Sequence, residues 1–525
     1  MNKLIARLWL AASLAALATS GLQAAHAAAP ADKTLTAVLE SDVRILDPSF
    51  TTIYITRTFG YMVYDTLFGM NAKGEIKPQM VDHYEVSPDH MRWTFTLRPG
   101  LKFHDGQPVT AADAVASLQR WGQRDALGKQ LLAAAASLTA DNDKTFTLKL
   151  KTAYGPVLET LGKPAAMVPF IMPARLAKTP VGQQVPEVIG SGPFVFKRDE
   201  WKPGSTIVFE KFKDYVPRSE PADLMAGGKV AKLDRVVWKY IPDSNTVLAA
   251  LQAGEVDYVQ YPAFDMLPIL KSDPNIQLVD LKGPNMYLGF YRLNSVNKPF
   301  DDPAIRRVVA MAVSQEKTVA ALGVPAEFSV KNCKSYYICN SVLATDAGSE
   351  PYAKPSVAAA KEALKKTKYA GEKIVILQAT DIEAPRVSSE VLAQTLREVG
   401  FNVELQSMDW NSVIAKRATK DAWHIFGVHT SGWDMMSPLT NLYISNNCLD
   451  YAGWSCDERI SKDLVAFRET SDPKEQKRLA AEIQKVTYEI MPAVIWGQFS
   501  QPAAYRKGLK GLIESSIPVF WNVSK

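Results

Sequence analysis

Between residues 374 and 428 the chain switches between two periodicities in a fixed order, and that alternation restricts the fold more than any other feature. Ile374 to Leu377 is an apolar strand pattern, and Arg386 to Val399 repeats its apolar residues at helical spacing until Gly400 closes it. Val403 and Leu405 alternate with polar residues as a second strand. A helix follows near 411–420, and Ile425, Phe426 and Val428 form a third strand. Strands separated by helices do not pair as hairpins, so the pattern predicts an α/β fold with a largely parallel sheet covered on both faces. The first half carries a smaller version. Val236 to Ile241 reads as a strand, Asp243 caps a helix through Leu251, Gly254 stops it, and Val256 to Val259 resumes a strand. Asp302 followed by Pro303 opens a further helix, predicted to reach about Leu322. At 525 residues the chain exceeds what one core organises, so two or more lobes are expected.

The first 28 residues differ from the rest. Lys3 and Arg7 precede an apolar run from Leu8 to Leu22, and Ala25-His26-Ala27 fits a small-x-small cleavage site. This is the layout of a secretory signal peptide, and no cysteine near the cut marks a lipid anchor. An exported, soluble, periplasmic protein is the expectation. Subtracting the charges of Lys3 and Arg7 takes the formal net charge from +5 to +3, too mild a balance to argue for nucleic acid. The four cysteines, Cys333, Cys339, Cys448 and Cys456, allow three pairings in an oxidising compartment. Local loops, Cys333–Cys339 and Cys448–Cys456, are the simplest reading, and their spacings are poor for zinc.

Residues 77–115 carry the most specific motif. Trp93, Phe95 and Leu97 alternate as a half-buried strand, Pro99-Gly100 forces a turn, and Phe103-His104-Asp105-Gly106 makes a second. Thr110 with Asp113 three residues on reads as a helix start. This order resembles the family of solute-binding proteins that serve peptide, nickel and opine ABC importers. Further landmarks of that resemblance are Gly-Ser-Gly-Pro-Phe at 190–194, Gly254-Glu255-Val256-Asp257, Leu-Gly-Phe at 288–290 and Phe-Asp-Asp-Pro before Arg306-Arg307. The resemblance implies a bilobed periplasmic-binding-protein fold, two α/β lobes joined by hinge strands. One lobe would hold 29–282 plus 495–525, with an inserted subdomain at 75–189. The other would hold 283–494, with crossings near Gly283-Pro284 and Met491-Pro492. It also implies a monomer without cofactor that passes its solute to the transmembrane subunits of an ABC permease, and it supports the local disulfide at Cys448–Cys456.

Ligands of open α/β sheets bind outside the carboxyl ends of the strands. Applied to the series at 374–428, this rule selects Thr380-Asp381, Asp409-Trp410 and Ser431-Gly432-Trp433-Asp434. By resemblance, Asp434 matches an aspartate that grips a peptide's α-amino group, and Trp410 and Trp433 match aromatic positions of the ligand cleft. Tyr54, after the Leu46-Asp47-Pro48 turn, and Trp496, near the return crossing, are further candidates. Some dipeptide-binding members carry an arginine after the first of these strands to hold the ligand carboxylate. Here Thr380 or Asp381 stands there, which points toward a ligand with more positive charge than a plain dipeptide. Gly190 and Gly192 suit a tight turn better than a phosphate loop. His104 reads as structural, and His424 and His429 would point to opposite faces of one strand. The expected function is capture of a small amine-bearing solute, a di- or oligopeptide first. The alternatives are an opine, another cationic amine or a metal chelate, and, more remotely, a two-carboxylate hydrolase built on Asp381 and Asp434.

Overall fold

The computed structural model describes residues 33–525 apart from positions 165, 280 and 471, and the expected signal peptide over 1–28 lies outside the described residues. Two sheets organise the chain. The first has seven strands in the spatial order Phe194–Phe196, Thr206–Lys211, Arg235–Lys239, Thr34–Val38, Tyr258–Val259, Ala504–Arg506, Ile276–Leu278. Thr34–Val38 is its pivot, parallel to Arg235–Lys239 on one side and to Tyr258–Val259 on the other. The second has six strands in the order Ser329–Val330, Ala493–Phe499, Tyr287–Leu293, Ile425–Ser431, Lys373–Ala379, Asn402–Met408. Its pivot is Lys373–Ala379, parallel to Asn402–Met408 and to Ile425–Ser431.

The remaining pairings of both sheets are antiparallel, so the expected largely parallel sheet is corrected to a mixed one. The reason is that Tyr287–Leu293 and Ala493–Phe499 join this sheet without belonging to its strand–helix–strand series. Both are buried at every position, so they read as apolar runs without direction. Ala493–Phe499 stays in the second sheet along its whole length, and the chain re-enters the first at Ala504. The chain between Phe499 and Ala504 thus passes from the second sheet to the first. The helix expected from Asp302 to about Leu322 is two, Pro303–Ala312 and Gln315–Ala321. Ser314 caps the second by accepting from the Lys317 amide, a start signal hidden inside a continuous apolar period.

A four-stranded antiparallel sheet between Val81 and Leu150 forms a third unit. In Arg92–Leu97 the residues Trp93, Phe95 and Leu97 are buried and their neighbours are not, as their alternation predicts. Thr110 and Asp113 close a reciprocal capping box at the helix Ala111–Gly122. His104 ties this unit to the first sheet's lobe: its amide donates to the Gly190 carbonyl at 2.8 Å and its ring Nε2 to the Gly192 carbonyl at 3.0 Å. Burial lowers the His104 pKa to about 4, which keeps the ring neutral for that bond. A Cβ at Gly190 would lie 2.0 Å from the Val63 carbonyl, so the glycine permits backbone contact with the end of the helix Tyr54–Val63.

Two of the apolar cores span the two large sheets. Val38 and Val259 pack with Tyr287 to Leu293, and Leu377, Trp410, Phe426 and Trp433 pack with the core under the first sheet. Among the described residues no helix is long and apolar enough to cross a membrane. The cysteines are bonded as Cys333–Cys339 and Cys448–Cys456. Peptide mapping without reduction will recover these two pairs, and each closes a short loop worth about 2–3 kcal/mol. A cross-linked fragment joining either half to the other overturns the pairing.

Candidate functional site

The carboxyl ends of both parallel triplets open on one cleft. From the first sheet come Leu39 and Glu40, Tyr240 and Ile241, and Tyr261 and Pro262, each just past its strand; from the second come Asp381, Ile382 and Glu383. They enclose an inner chamber of about 110 Å³. A middle pocket of about 50 Å³ shares Glu40 and Ile382 with it and adds Tyr54, Trp410, Arg417 and His429. An outer chamber of about 700 Å³ shares Arg417 and Tyr451 with the middle pocket and opens toward Arg44, Arg124 and Trp454. The three voids share walls in sequence and run along the interface between the sheets.

Tyr54, Asp381 and Trp410 stand on these walls. Asp381 also accepts from the Trp410 amide at 2.7 Å, which fixes the start of the helix Trp410–Lys416 beneath it. The other expected site residues lie elsewhere. Trp496 is fully buried, donates to the Val428 carbonyl at 3.1 Å and stacks on Phe499, so it is part of the second sheet's core. Trp433 donates from Nε1 to Asn285 Oδ1 at 2.9 Å and packs in the core under the first sheet. Gly432 donates to the Met286 carbonyl at 2.8 Å, and a Cβ there would meet the Pro284 carbonyl at 2.7 Å. It serves the approach of this loop to the crossing at 283–286.

Asp434 has no exposed surface. One carboxylate oxygen accepts from the Tyr54 hydroxyl, the other from the Ala166 amide at 3.0 Å. Tyr54 in turn accepts from the Ser431 amide at 2.9 Å, and the Arg57 guanidinium lies 4.3 Å from its ring centroid. Asp434 is thus a bridge from the second lobe to the first, and it lines none of the three voids. The pair Asp381 and Asp434 accordingly faces no common void, as a two-carboxylate hydrolase would require. Burial raises the Asp434 pKa, against the opposing charge of Arg57 and the Tyr54 bond. Arg57 itself is buried, with Nε and Nη1 unpartnered. Burial also raises Glu40 from its ordinary 4.5 to about 7, opposed by Arg57 and by a bond from Tyr261.

Glu40, Arg57, Tyr261, Glu383 and Arg417 carry no local sequence signal that marks them as site residues, and the sequence assigns His429 only a strand face. The strand-end rule finds three first-sheet wall residues, Glu40, Tyr240 and Tyr261, once it is applied to that sheet as well. His429 does face the cleft, through Ile425–Ser431, whereas His424 precedes that strand and bonds the Val375 amide and the Lys298 carbonyl. Among the described residues no group of three or more His, Cys, Asp or Glu is placed to hold a metal ion.

Two α/β lobes with a ligand-sized cleft at the carboxyl ends of their parallel strands define a binding protein of the bilobed class. Residues 75–452 match the model of the bacterial extracellular solute-binding proteins, family 5, and the chain belongs to that family. It is 38% identical over 524 residues to a probable peptide ABC transporter periplasmic-binding protein, y4tO, of Sinorhizobium fredii, covering 97% of each chain. Among solved structures it is similar to AgaA of A. tumefaciens R10 in complex with agropinic acid, with TM-score 0.78 and 25% identity over 93% of this chain and 96% of that one. It is also similar in fold to a dipeptide-binding protein of Pseudoalteromonas sp. SM9913 in complex with Met-Leu. That match has TM-score 0.79 and 19% identity, over 94% and 100% of the two chains.

The bridge makes a stability prediction. Removing one partner leaves buried polar groups unsatisfied, which costs about 1–3 kcal/mol. Tyr54→Phe and Asp434→Ala will each lower the urea-unfolding free energy of the ligand-free protein by that order, and the double variant will lose less than the sum. Full additivity would mean that the two side chains do not act together. A second expectation concerns pH. The folded chain holds the Glu40 proton more tightly than the unfolded chain, so the stability it contributes is complete below about 4.5 and is lost as pH rises through about 7. Glu40→Gln will flatten the stability profile across that window.

Proposed function

We propose that this protein is a periplasmic receptor that captures a di- or oligopeptide in the cleft between its lobes and delivers it to an ABC permease. The observation that carries this reading is the three-part cleft, walled by both sheets, in a chain whose 38%-identical relative is named as a peptide-binding component. Peptides suit such a cleft because strand-end loops offer backbone groups as well as pockets for side chains. The protein acts by binding and hinge closure and carries out no catalysis. It is exported by its first 28 residues, works as a monomer and meets the permease transiently. The lobes are 33–282 with the chain after Phe499, and 283–499, with the 75–189 unit inserted in the first. Tyr54, Trp410 and Asp381 face the ligand, and Asp434 acts through Tyr54 and Ala166 to hold the lobes together.

A second reading, an opine receptor, is supported by the 25% identity to the agropinic acid complex. Isothermal titration of the mature chain against peptide, opine, sugar and nickel panels separates the two. The peptide reading expects peptides to bind and opines not to; the reverse result replaces it. Trp410→Ala removes an aromatic wall of the middle pocket and will weaken peptide binding by about 2 kcal/mol, roughly 30-fold. Unchanged affinity would take Trp410 out of the site.

A further inference from the structure

The charged side chains of the cleft are sorted by chamber. The inner chamber is lined by three carboxylates, Glu40 from the first lobe and Asp381 and Glu383 from the second, and by no lysine, arginine or histidine. Among the described residues none of the three is in an ion pair. Asp381 is engaged by a backbone amide at 2.7 Å, and Arg57, which is not on the chamber wall, offsets part of the Glu40 charge. At the other end the outer chamber carries Arg124, Lys129 and Arg417, together with Arg44, which is already paired with Asp42 at 3.2 Å and Asp409 at 3.7 Å; the one carboxylate on this wall is Asp450. That carboxylate is occupied by the Trp454 indole at 2.9 Å. Arg417 reaches across the cleft to Thr52 Oγ1 at 3.0 Å and stands where the middle pocket and the outer chamber meet.

The middle pocket connects these opposite ends, with Glu40 at one and Arg417 at the other. His429 lines it, 7% exposed, and its Nδ1 has no hydrogen-bond partner. An imidazole buried to that extent with a free ring nitrogen is a polar group still lacking its partner. The aromatic side chains of Tyr54, Trp410, Phe426, Tyr443 and Tyr451 share this wall with aliphatic residues and with Thr52 and Thr430. The passage is thus mainly apolar, with His429 Nδ1 as a buried polar atom without a partner, while charge of opposite sign predominates at its two ends.

We propose that the cleft selects an elongated bipolar ligand and fixes its direction, with a cationic group in the chamber of Glu40, Asp381 and Glu383 and a carboxylate group at Arg417 and the outer chamber. This rests on the reading of the cleft as the ligand site and adds to it the ligand's charge pattern and orientation. For a peptide it places a basic residue at the amino end and an acidic residue at the carboxyl end. Each end acts by charge-assisted hydrogen bonds that strengthen when closure excludes water.

The test compares Lys-Ala-Glu with Glu-Ala-Lys, which have the same composition and net charge, by titration calorimetry on the wild-type mature chain. A carboxyalkylated lysine is added as a bipolar compound without a peptide bond. The expected result is a preference for Lys-Ala-Glu of at least about tenfold. Glu383→Gln and Arg417→Gln will each shrink that preference, with melting curves confirming that the variants are folded. Binding of the carboxyalkylated lysine while neither tripeptide binds also supports the bipolar cleft and overturns the peptide reading alone. Equal affinity for both tripeptides overturns the inference and leaves the peptide reading standing. Binding of none of the three overturns it as well.

Discussion

Two parallel strand triplets meet end to end, and the cleft follows from that meeting. Thr34–Val38 between its neighbours, and Lys373–Ala379 between its own, each leave their carboxyl ends uncovered, because the following chain must turn away to a helix or loop. Side chains just past those ends have nowhere to go but the space between the sheets. Every wall residue of the inner chamber that carries a charge is of this kind: Glu40 after the first pivot, Asp381 and Glu383 after the second. The walls are as rigid as the sheets that end in them. The chain that joins the sheets runs at 283–286 and past Phe499, outside either triplet.

The bridge at Asp434 shows how the lobes recognise each other. A buried carboxylate is costly unless its lone pairs are filled, and here both fillers, the Tyr54 hydroxyl and the Ala166 amide, come from the opposite lobe. Burial and the neighbouring carboxylate hold the Tyr54 phenol protonated, so it remains a donor. Arg57 supplies compensating charge to Asp434 and Glu40, and among the described residues it forms an ion pair with neither. The strand-end rule selects Asp434 as a ligand contact; in the structure its carboxylate is taken by first-lobe groups and lines none of the three voids.

Much of the fold was legible because its signals are local. The series from Ile374 to Val428 shows its periods within single elements, and Thr110 with Asp113, Asp243 with Gly254, and Gly400 mark helix ends by chemistry that acts over three or four residues. The errors have the opposite origin. The direction of Tyr287–Leu293 depends on partners at 425–431 and 493–499, which an apolar run does not announce. Trp496 was singled out for its nearness to a crossing, yet the glycine at 289 leaves room for its indole inside the sheet, where a Cβ would lie 2.2 Å away. Glu40 lies two residues past Thr34–Val38, a strand only five residues long and far in sequence from the neighbours that pair with it. Arg57 sits one turn into a helix in which nine residues are buried, so nothing local separates it from core.

Charge sorting along the cleft is a property of the assembled lobes and gives the closure an electrostatic condition. Glu40 approaches Asp381 and Glu383 from the opposite side of the inner chamber, and burial pushes the pKa of all three upward. With the chamber empty, bringing the lobes together would concentrate like charge or force proton uptake, and both would oppose closure. A cation between the walls reverses the sign of the interaction, since each carboxylate then gains a partner that is absent in the open form. A ligand shifts such an equilibrium only by its differential affinity for the two states. On the proposed charge pattern, a cationic group held by carboxylates from both lobes would contact one wall in an open cleft and both in a closed one. That difference would couple recognition of the ligand to the approach of the lobes.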